Sequence, residues 1–170
     1  NQYSKLDLRE TPMLLCEFHG TPASVEEQAK TVQDIATTNG GLDFQWATKQ
    51  EERTKLWQAR HDAYRACIQL RPGHRGFSTD VCVPVSRLAE CIAETARDVA
   101  ESNLTIALFG HIGDGNFHLV ILVDPASARD HDEADAINQR VVKRALGMSG
   151  TSTGEHGIGI GKLDFLGAEH

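Results

Sequence analysis

The sequence predicts an α+β fold: a ferredoxin-like antiparallel sheet covered by helices, followed by an irregular glycine-rich tail. Three observations support this fold. Strand-like and helix-like segments follow one another in the order β-α-β-α-β-α-β-β-α, two apolar runs flank the tight turn Asp114-Gly115, and residues 151–170 are rich in glycine without a regular period. This order matches an antiparallel sheet with helices packed on one side.

The first half of the chain begins with an apolar and aromatic run at residues 12–19, which is typical of a strand. A capping box at 24–27 predicts the start of a helix, and the Asn39-Gly-Gly41 sequence predicts its end. Apolar and polar residues alternate at 42–46 as in a half-buried strand. A second capping box at 48–51 then predicts a longer helix.

The second half begins with a predicted strand at 76–83, and Pro84 predicts the first turn of a third helix. The runs 104–109 and 117–123 are almost continuously apolar, as expected for strands that are covered on at least one face. Pro125 predicts the start of a fourth helix, after which the irregular tail completes the predicted order.

Length and composition narrow the class of protein. With 170 residues, of which 40% are hydrophobic, the chain can form one domain with a core, so residues 1–170 are predicted to be a single domain. A net charge of −7 argues against nucleic acid and anionic membranes as partners, because both require clustered basic residues. The sequence lacks the run of about 20 apolar residues that a membrane span needs, so we expect a soluble domain.

The cysteines and the chain ends add two expectations. The four cysteines form no CxxC pair and are predicted to be reduced, buried thiols of an intracellular protein. The last residues, 163–170, show neither a capping nor a tail pattern, which favours a domain cut from a longer polypeptide. A site shared with another domain would then be half present.

A hairpin with two histidines is the first chemically informative feature. If Asp114 and Gly115 are the central residues of a type I′ turn, His111 faces His118 across the two strands. Residues in such a pair point to one face with Cβ atoms about 4.5–5.5 Å apart. Asn116, two residues before His118, projects on that face as well.

Paired imidazoles with a carboxylate favour a metal site, whereas a lone histidine more often satisfies a hydrogen bond of the core. Glu155 in the tail is the candidate third ligand to His111 and His118, and the set leaves coordination positions open, as in catalytic sites. His156 is then a candidate general base. These ligand types suit zinc, manganese and iron alike.

Two further patterns are less informative. The glycines at 154, 157, 159 and 161 follow no predicted strand and open no helix, so we reject a dinucleotide-binding loop. Arg60 could bind a substrate carboxylate through two hydrogen bonds, although an isolated arginine of this kind is more often a solvated helix residue.

Two long motifs resemble a known family. The segments Gly110-His-Ile-Gly-Asp-Gly-Asn-Phe-His118 and Gly150-Thr-Ser-Thr-Gly-Glu-His-Gly-Ile-Gly159 are similar to the paired signature of the C-terminal domain of FAD-linked oxidases in the vanillyl-alcohol oxidase superfamily. Within it, Trp57-Gln-Ala-Arg-His61 and residues 78–88 most resemble the cytochrome-linked D-lactate dehydrogenases. The resemblance extends over nearly the whole chain.

The resemblance implies a role for each candidate residue. His111, His118 and Glu155 would bind a divalent metal, and His156 would take the proton of the substrate hydroxyl while hydride passes to FAD. Arg60 would anchor the substrate carboxylate. Asn116 would line the pocket beside substrate or flavin. FAD would be bound mainly by a separate N-terminal domain, without which we expect neither stable FAD binding nor turnover.

Several functions remain open at this point. The leading hypothesis is oxidation of D-lactate to pyruvate, with electrons passed to a cytochrome or a quinone. A glycolate or D-2-hydroxyglutarate dehydrogenase would share the chemistry and differ in the substrate pocket. A metal-dependent hydrolase using the same two histidines and Glu155, or a non-catalytic metal-binding module, would need no flavin.

Overall fold

A computed structural model describes residues 3, 7 and 9–170, which fall into two units, Asn1–Asp62 and Ala63–His170. The first unit contains helices α1 (Pro22–Thr38) and α2 (Gln50–His61). The second unit contains all of the described strands, and its elements in chain order are α3 (Ala63–Ile68), β1 (Arg75–Ser78), β2 (Val81–Cys82), α4 (Val85–Val99), β3 (Thr105–His111), β4 (Asn116–Val123), α5 (Ala128–Gly147) and α6 (Leu166–Glu169), with short 3₁₀ turns at Ile112–Asp114 and Leu163–Phe165.

Strand β4 is the centre of an antiparallel sheet. It pairs with β3 along one edge and with β1 and β2 along the other. The order strand, α4, β3, β4, α5 is that of a ferredoxin-like unit without its last strand. Where that strand would pair, Thr151 forms an isolated antiparallel bridge to Cys82. The prediction of an α+β fold is therefore confirmed.

The hydrophobic core of the second unit lies between this sheet and the helices α4 and α5. Alternate residues of β4 point into it, because successive side chains of a strand face opposite sides. The buried core residues are Val81, Val83, Leu88, Cys91, Phe117, Leu119, Ile121, Val123, Ala134, Ile137, Val141, Val142, Ala145 and Met148. This core fixes β4, and β4 carries Asn116 and His118 on its opposite face.

Two predicted strands of the first unit are absent from the structure. Residues 12–19 and 42–46 have no strand conformation and pair with no other described segment. The side chains of Leu14 and Leu42 are about 70% exposed, at 69% and 71%. An alternating pattern indicates which residues could face a core, but a strand also needs a hydrogen-bonded neighbour.

Helix starts and thiol burial also differ from prediction. Helix α1 begins at Pro22, where the Thr21 hydroxyl accepts from the Ser24 amide, so the cap lies three residues before the predicted Ser24. The long helix predicted after residue 48 is interrupted at Asp62, and α3 follows. All four cysteines are free, but Cys16 is exposed, so the prediction of buried thiols was wrong there.

None of the helices in the described part of the chain is both long enough and apolar enough to cross a membrane.

Candidate metal and catalytic site

The hairpin between β3 and β4 differs in register from the prediction. His111 pairs with Asn116 and Phe109 pairs with His118, so His111 does not lie directly across from His118. A type I′ turn needs positive φ at both central residues, whereas only Gly115, at φ 77°, has one here, and the three residues before it form a 3₁₀ turn. The loop is therefore longer than predicted, and the pairing shifts by two residues.

A shift of two residues leaves every side chain on its predicted face, because the side-chain period of a strand is two. His111, Asn116 and His118 all remain on the face opposite the core. The imidazole rings of His111 and His118 approach edge to face with centroids 6.1 Å apart. The sequence therefore predicted correctly that these three side chains share one face, although the predicted turn type was wrong.

The backbone around His118 fixes which ring nitrogen faces the site. His118 is buried, and its Nδ1 lies 3.2 Å from the carbonyl oxygen of Thr79. A carbonyl can only accept, so the Nδ1–H form of the ring donates to Thr79, and in its neutral state this form has its lone pair on Nε2, where it can bind a metal. That Nε2 lies 2.8 Å from Oε1 of Glu155.

Three imidazoles converge on one carboxylate oxygen. The Nε2 atoms of His111, His118 and His156 lie 3.6, 2.8 and 3.8 Å from Oε1 of Glu155. The rings of His118 and His156 stack with centroids 4.9 Å apart. Ligand atoms of His111, His118 and Glu155 all lie within 4.8 Å of one another. The chemistry and spacing of these donors fit a divalent metal ion.

The loop that carries Glu155 and His156 is attached to the sheet through Asp80. Oδ2 of Asp80 accepts from the amides of Gly154, Glu155 and His156 at 2.9, 3.0 and 2.9 Å, and from the Thr153 hydroxyl at 2.8 Å. Burial by itself raises the pKa of Asp80, but these hydrogen bonds outweigh it and hold that pKa well below its ordinary value. The carboxylate is therefore ionised throughout the neutral range.

Asp80 also contacts the hairpin and a lysine. Its Oδ1 accepts from Nδ2 of Asn116 at 2.8 Å and lies 3.5 Å from Nδ1 of His118. The ammonium group of Lys162 donates to the Asp80 carbonyl at 2.7 Å and lies 3.6 Å from Oδ2. Burial lowers the pKa of Lys162, and the Asp80 charge opposes that change. Lys162 thus supplies the countercharge to a carboxylate that is almost fully buried.

In the side chain of Asn116, the amide nitrogen is hydrogen-bonded, whereas the amide oxygen has no described hydrogen-bond donor. Its Nδ2 donates to Oδ1 of Asp80 and to the carbonyl of Val81 at 3.0 Å, which fixes the orientation of the amide. Its Oδ1 is buried and accepts no hydrogen bond from any described residue. A buried acceptor of this kind is costly unless a ligand or water donates to it. We interpret it as a contact point for a bound molecule.

A second carboxylate holds the beginning of the same loop. Oε2 of Glu169, in α6, accepts from the amide and hydroxyl of Ser152 at 3.0 and 2.6 Å. These two hydrogen bonds lower the pKa of Glu169. Two carboxylates therefore hold the loop, Glu169 at Ser152 and Asp80 from Thr153 to His156.

Glycine is required at position 154 because of the contact with the hairpin. A Cβ on Gly154 would overlap the Asn116 amide nitrogen and approach Oδ1 of Asp80 to 2.8 Å. Only a residue without a side chain lets the loop backbone approach these two side chains this closely.

The predicted site residues fall in both units. His111, Asn116, His118, Glu155 and His156 come together within the second unit. Arg60 lies in α2 of the first unit and is half-buried.

The sequence-based prediction missed Asp80 and Lys162. The only signal for Asp80 was that it is the one charged residue of the predicted strand at 76–83, and Lys162 had none.

Comparison with known proteins places these residues in a family. The family model of the C-terminal domain of FAD linked oxidases matches residues 1–170. The chain is 47% identical, over 99% of its length and 34% of the relative, to a probable mitochondrial D-lactate dehydrogenase of Danio rerio. It is 43% identical, over 99% of its length and 30% of the relative, to the mitochondrial cytochrome D-lactate dehydrogenase of Arabidopsis thaliana.

A more distant relative has another substrate in its name. The chain is 29% identical to a glycolate oxidase subunit of Escherichia coli, over 92% of the chain and 31% of the relative. The chain thus spans about a third of the length of each of these three proteins.

Proposed function

Because this chain belongs to the family of C-terminal domains of FAD-linked oxidases, we propose that it is the substrate and metal domain of an FAD-dependent D-2-hydroxyacid dehydrogenase. The reaction proposed for the whole protein is oxidation of D-lactate to pyruvate. The electrons would pass through FAD to a cytochrome or a quinone. We further propose a mitochondrial location, as in the names of the two D-lactate dehydrogenases, or a cytoplasmic one in a bacterium.

The observation that carries the proposal is the convergence of three imidazole Nε2 atoms on Oε1 of Glu155. We assign His111, His118 and Glu155 as the ligands of a divalent metal such as zinc, manganese or iron. When bound, the ion would supply Lewis-acid polarisation of the substrate hydroxyl and carboxylate oxygens, and FAD would supply the hydride acceptor.

His156 is the proposed general base. Its ring stacks on His118, which is itself held by the Thr79 carbonyl, so the orientation of His156 is tied to the sheet. The Nε2 of a neutral imidazole can take the proton of the substrate 2-hydroxyl. Loss of this proton leaves an electron pair on the hydroxyl oxygen. That pair forms the carbonyl of the product as hydride leaves C2.

Asn116 and Arg60 are the proposed substrate contacts. The buried Oδ1 of Asn116 is an acceptor without a described donor, so it can receive a hydrogen bond from the substrate or from the flavin. Arg60 is proposed to pair with the substrate carboxylate, since a guanidinium group matches a carboxylate through two parallel hydrogen bonds.

Similarity to D-lactate dehydrogenases at 43–47% identity, compared with 29% for the glycolate oxidase subunit, favours D-lactate over glycolate. A D-2-hydroxyglutarate dehydrogenase would have the same reaction centre and a pocket for a second carboxylate. Membership of an FAD-linked family argues against the metal-dependent hydrolase, which would need no flavin, and against a module without catalysis.

The base role is tested with His156→Ala in the full-length protein. We expect turnover of D-lactate to fall about 10²–10⁴-fold, the usual contribution of a positioned acid or base. Metal content, measured by elemental analysis, should stay at the level of the unchanged protein because the three ligands remain. His131→Ala, which removes an exposed histidine of α5, is the matched control and should retain full turnover. Unchanged turnover in His156→Ala would exclude the base role.

The substrate assignment is tested by steady-state kinetics of the same full-length protein. We expect kcat/KM for D-lactate to exceed the values for glycolate and D-2-hydroxyglutarate. Glycolate lacks a methyl group, which in an apolar pocket is worth about 10–200-fold. A higher kcat/KM for D-2-hydroxyglutarate than for D-lactate would reverse the assignment and leave the proposed chemistry intact.

A further inference from the structure

Asp80 lies where the two halves of the site meet. Strands β1 and β2 pair with β4 in the same register, and Asp80 lies in the gap between them. Extending this register places Asp80 directly across from His118, with its side chain on the same face. Its side chain is 1% exposed and makes hydrogen bonds in two directions. Oδ1 bonds to the hairpin through Asn116, and Oδ2 bonds to the loop of Glu155 and His156.

The backbone pairing of the sheet is altered at Thr79, the residue next to Asp80. The hydroxyl of the preceding residue, Thr79, accepts from the amide of Leu119 at 2.9 Å, and the Thr79 amide donates to the Leu119 carbonyl at 3.0 Å. The Thr79 carbonyl accepts from His118 instead of from a strand neighbour. The Thr79 hydroxyl therefore maintains the pairing with β4, while the Thr79 carbonyl orients the His118 ring.

Among side chains of this shape, only a carboxylate can accept hydrogen bonds at both of its ends, from the hairpin and from the loop. The described groups that contact its two oxygens are all donors: backbone amides of the loop, the Thr153 hydroxyl, the Asn116 amide and the Lys162 ammonium group. An asparagine at this position would have the same shape but one NH₂ group. In either orientation that NH₂ group would face donors on one side, which leaves buried groups unsatisfied.

We propose that Asp80 is the positioning residue that sets the separation between the hairpin ligands and the loop that carries Glu155 and His156. The expected effect of Asp80 on metal binding and turnover rests on the proposed function. Its expected effect on the position of the loop does not, because the hydrogen bonds from the loop amides to Asp80 involve no metal or substrate. Residues that hold metal ligands in place typically contribute about 10–100-fold to metal affinity.

The test is Asp80→Asn in the full-length protein, with Asp98→Asn as the matched control. Asp98 is a mostly buried carboxylate that pairs with Arg140 and Arg144 between α4 and α5, away from the site. Two quantities are measured in protein stripped of metal: amide hydrogen exchange of the 151–157 segment, and the Kd for Zn²⁺ by calorimetry. A third is kcat for D-lactate after reloading with metal.

We expect exchange at residues 154–156 to accelerate at least about tenfold in Asp80→Asn, and the Kd for Zn²⁺ to rise about 10–100-fold. Exchange in β3 and β4 should be unchanged. Asp98→Asn should leave both quantities at the values of the unchanged protein. Normal exchange of the loop in a folded Asp80→Asn protein would overturn the proposal.

A milder variant covers the case in which Asp80→Asn fails to fold. Thr153→Val removes one of the four donors to Oδ2 and preserves side-chain shape, so it should accelerate exchange of the same amides by a smaller factor. No acceleration would again overturn the proposal. If the unchanged protein binds no divalent metal, the proposed metal site fails, while the exchange measurements still decide the role of Asp80.

Discussion

The two halves of the candidate site are built in different ways. The hairpin that carries His111 and His118 is held by an antiparallel ladder of backbone hydrogen bonds between β3 and β4. The loop that carries Glu155 and His156 bonds to the sheet backbone at Thr151 and is otherwise held by side-chain acceptors, above all the carboxylates of Glu169 and Asp80. One half of the site therefore follows from the fold, whereas the other depends on a few charged side chains.

The largest expected loss of stability comes from Gly154→Ala, which forces the two halves of the site apart. In Gly154→Ala the new methyl group would overlap the Asn116 amide, so either the loop or Asn116 must move. We expect a loss of about 1–3 kcal/mol in the free energy of unfolding, as for other overpacked positions. The Kd for Zn²⁺ should rise at least about tenfold, within the range for groups that orient metal ligands. Chemical denaturation and calorimetry on the full-length protein measure the two effects.

Gly161→Ala is the control for this substitution. Gly161 lies in the same tail and does not have positive φ, and a methyl group added to it would meet no described heavy atom within 4 Å outside its chain neighbours. The substitution should change neither stability nor metal affinity by a measurable amount. Equal effects of the two alanines would mean that contact with the hairpin is not what positions the loop.

A smaller effect is expected when the hydrogen bonds of Glu169 to Ser152 are weakened. Glu169→Gln removes the charge that accepts from Ser152, and the group is only partly buried, so we expect a loss of about 0.5–1 kcal/mol at pH 7. Since the folded pKa of Glu169 is lowered, its stabilisation is present above the unfolded pKa and is lost as the pH falls through the folded pKa. The difference between the two proteins should therefore shrink below about pH 4.

Thermal unfolding as a function of pH checks this expectation, with Asp164→Asn as the control. Asp164 is an exposed carboxylate of the same tail. Its replacement should leave stability nearly unchanged at every pH. A difference for Glu169→Gln that grew as the pH fell would contradict the assignment of the hydrogen bonds to the ionised form.

The sequence predicted the hairpin half of the site better than the loop half. The apolar runs on both sides of residues 111–116 defined β3 and β4, and strand periodicity placed His111, Asn116 and His118 on one face. The turn type was wrong, but the resulting error in register was an even number of residues and so did not change the face. The α+β class followed from the same local patterns.

The loop half could not be derived from local patterns because its contacts are distant in sequence. Asp80 meets its loop partners more than 70 residues away, and Lys162 reaches it from further along the tail. A single acidic residue in a predicted strand carries no information on such partners. The predicted strands at 12–19 and 42–46 failed for a related reason, since no pattern within them specified a pairing neighbour.

The bridge between Cys82 and Thr151 has a consequence for how ligands exchange. At the sheet edge where the last strand of a ferredoxin-like unit would pair, only the single bridge from Cys82 to Thr151 joins the described chain to the sheet backbone. The loop of Glu155 and His156 follows directly after this bridge. Segments held by few backbone hydrogen bonds open locally at a free energy below that of global unfolding. We therefore expect the loop to detach and reclose while β4 stays folded, so that the rate of metal exchange reflects this partial opening.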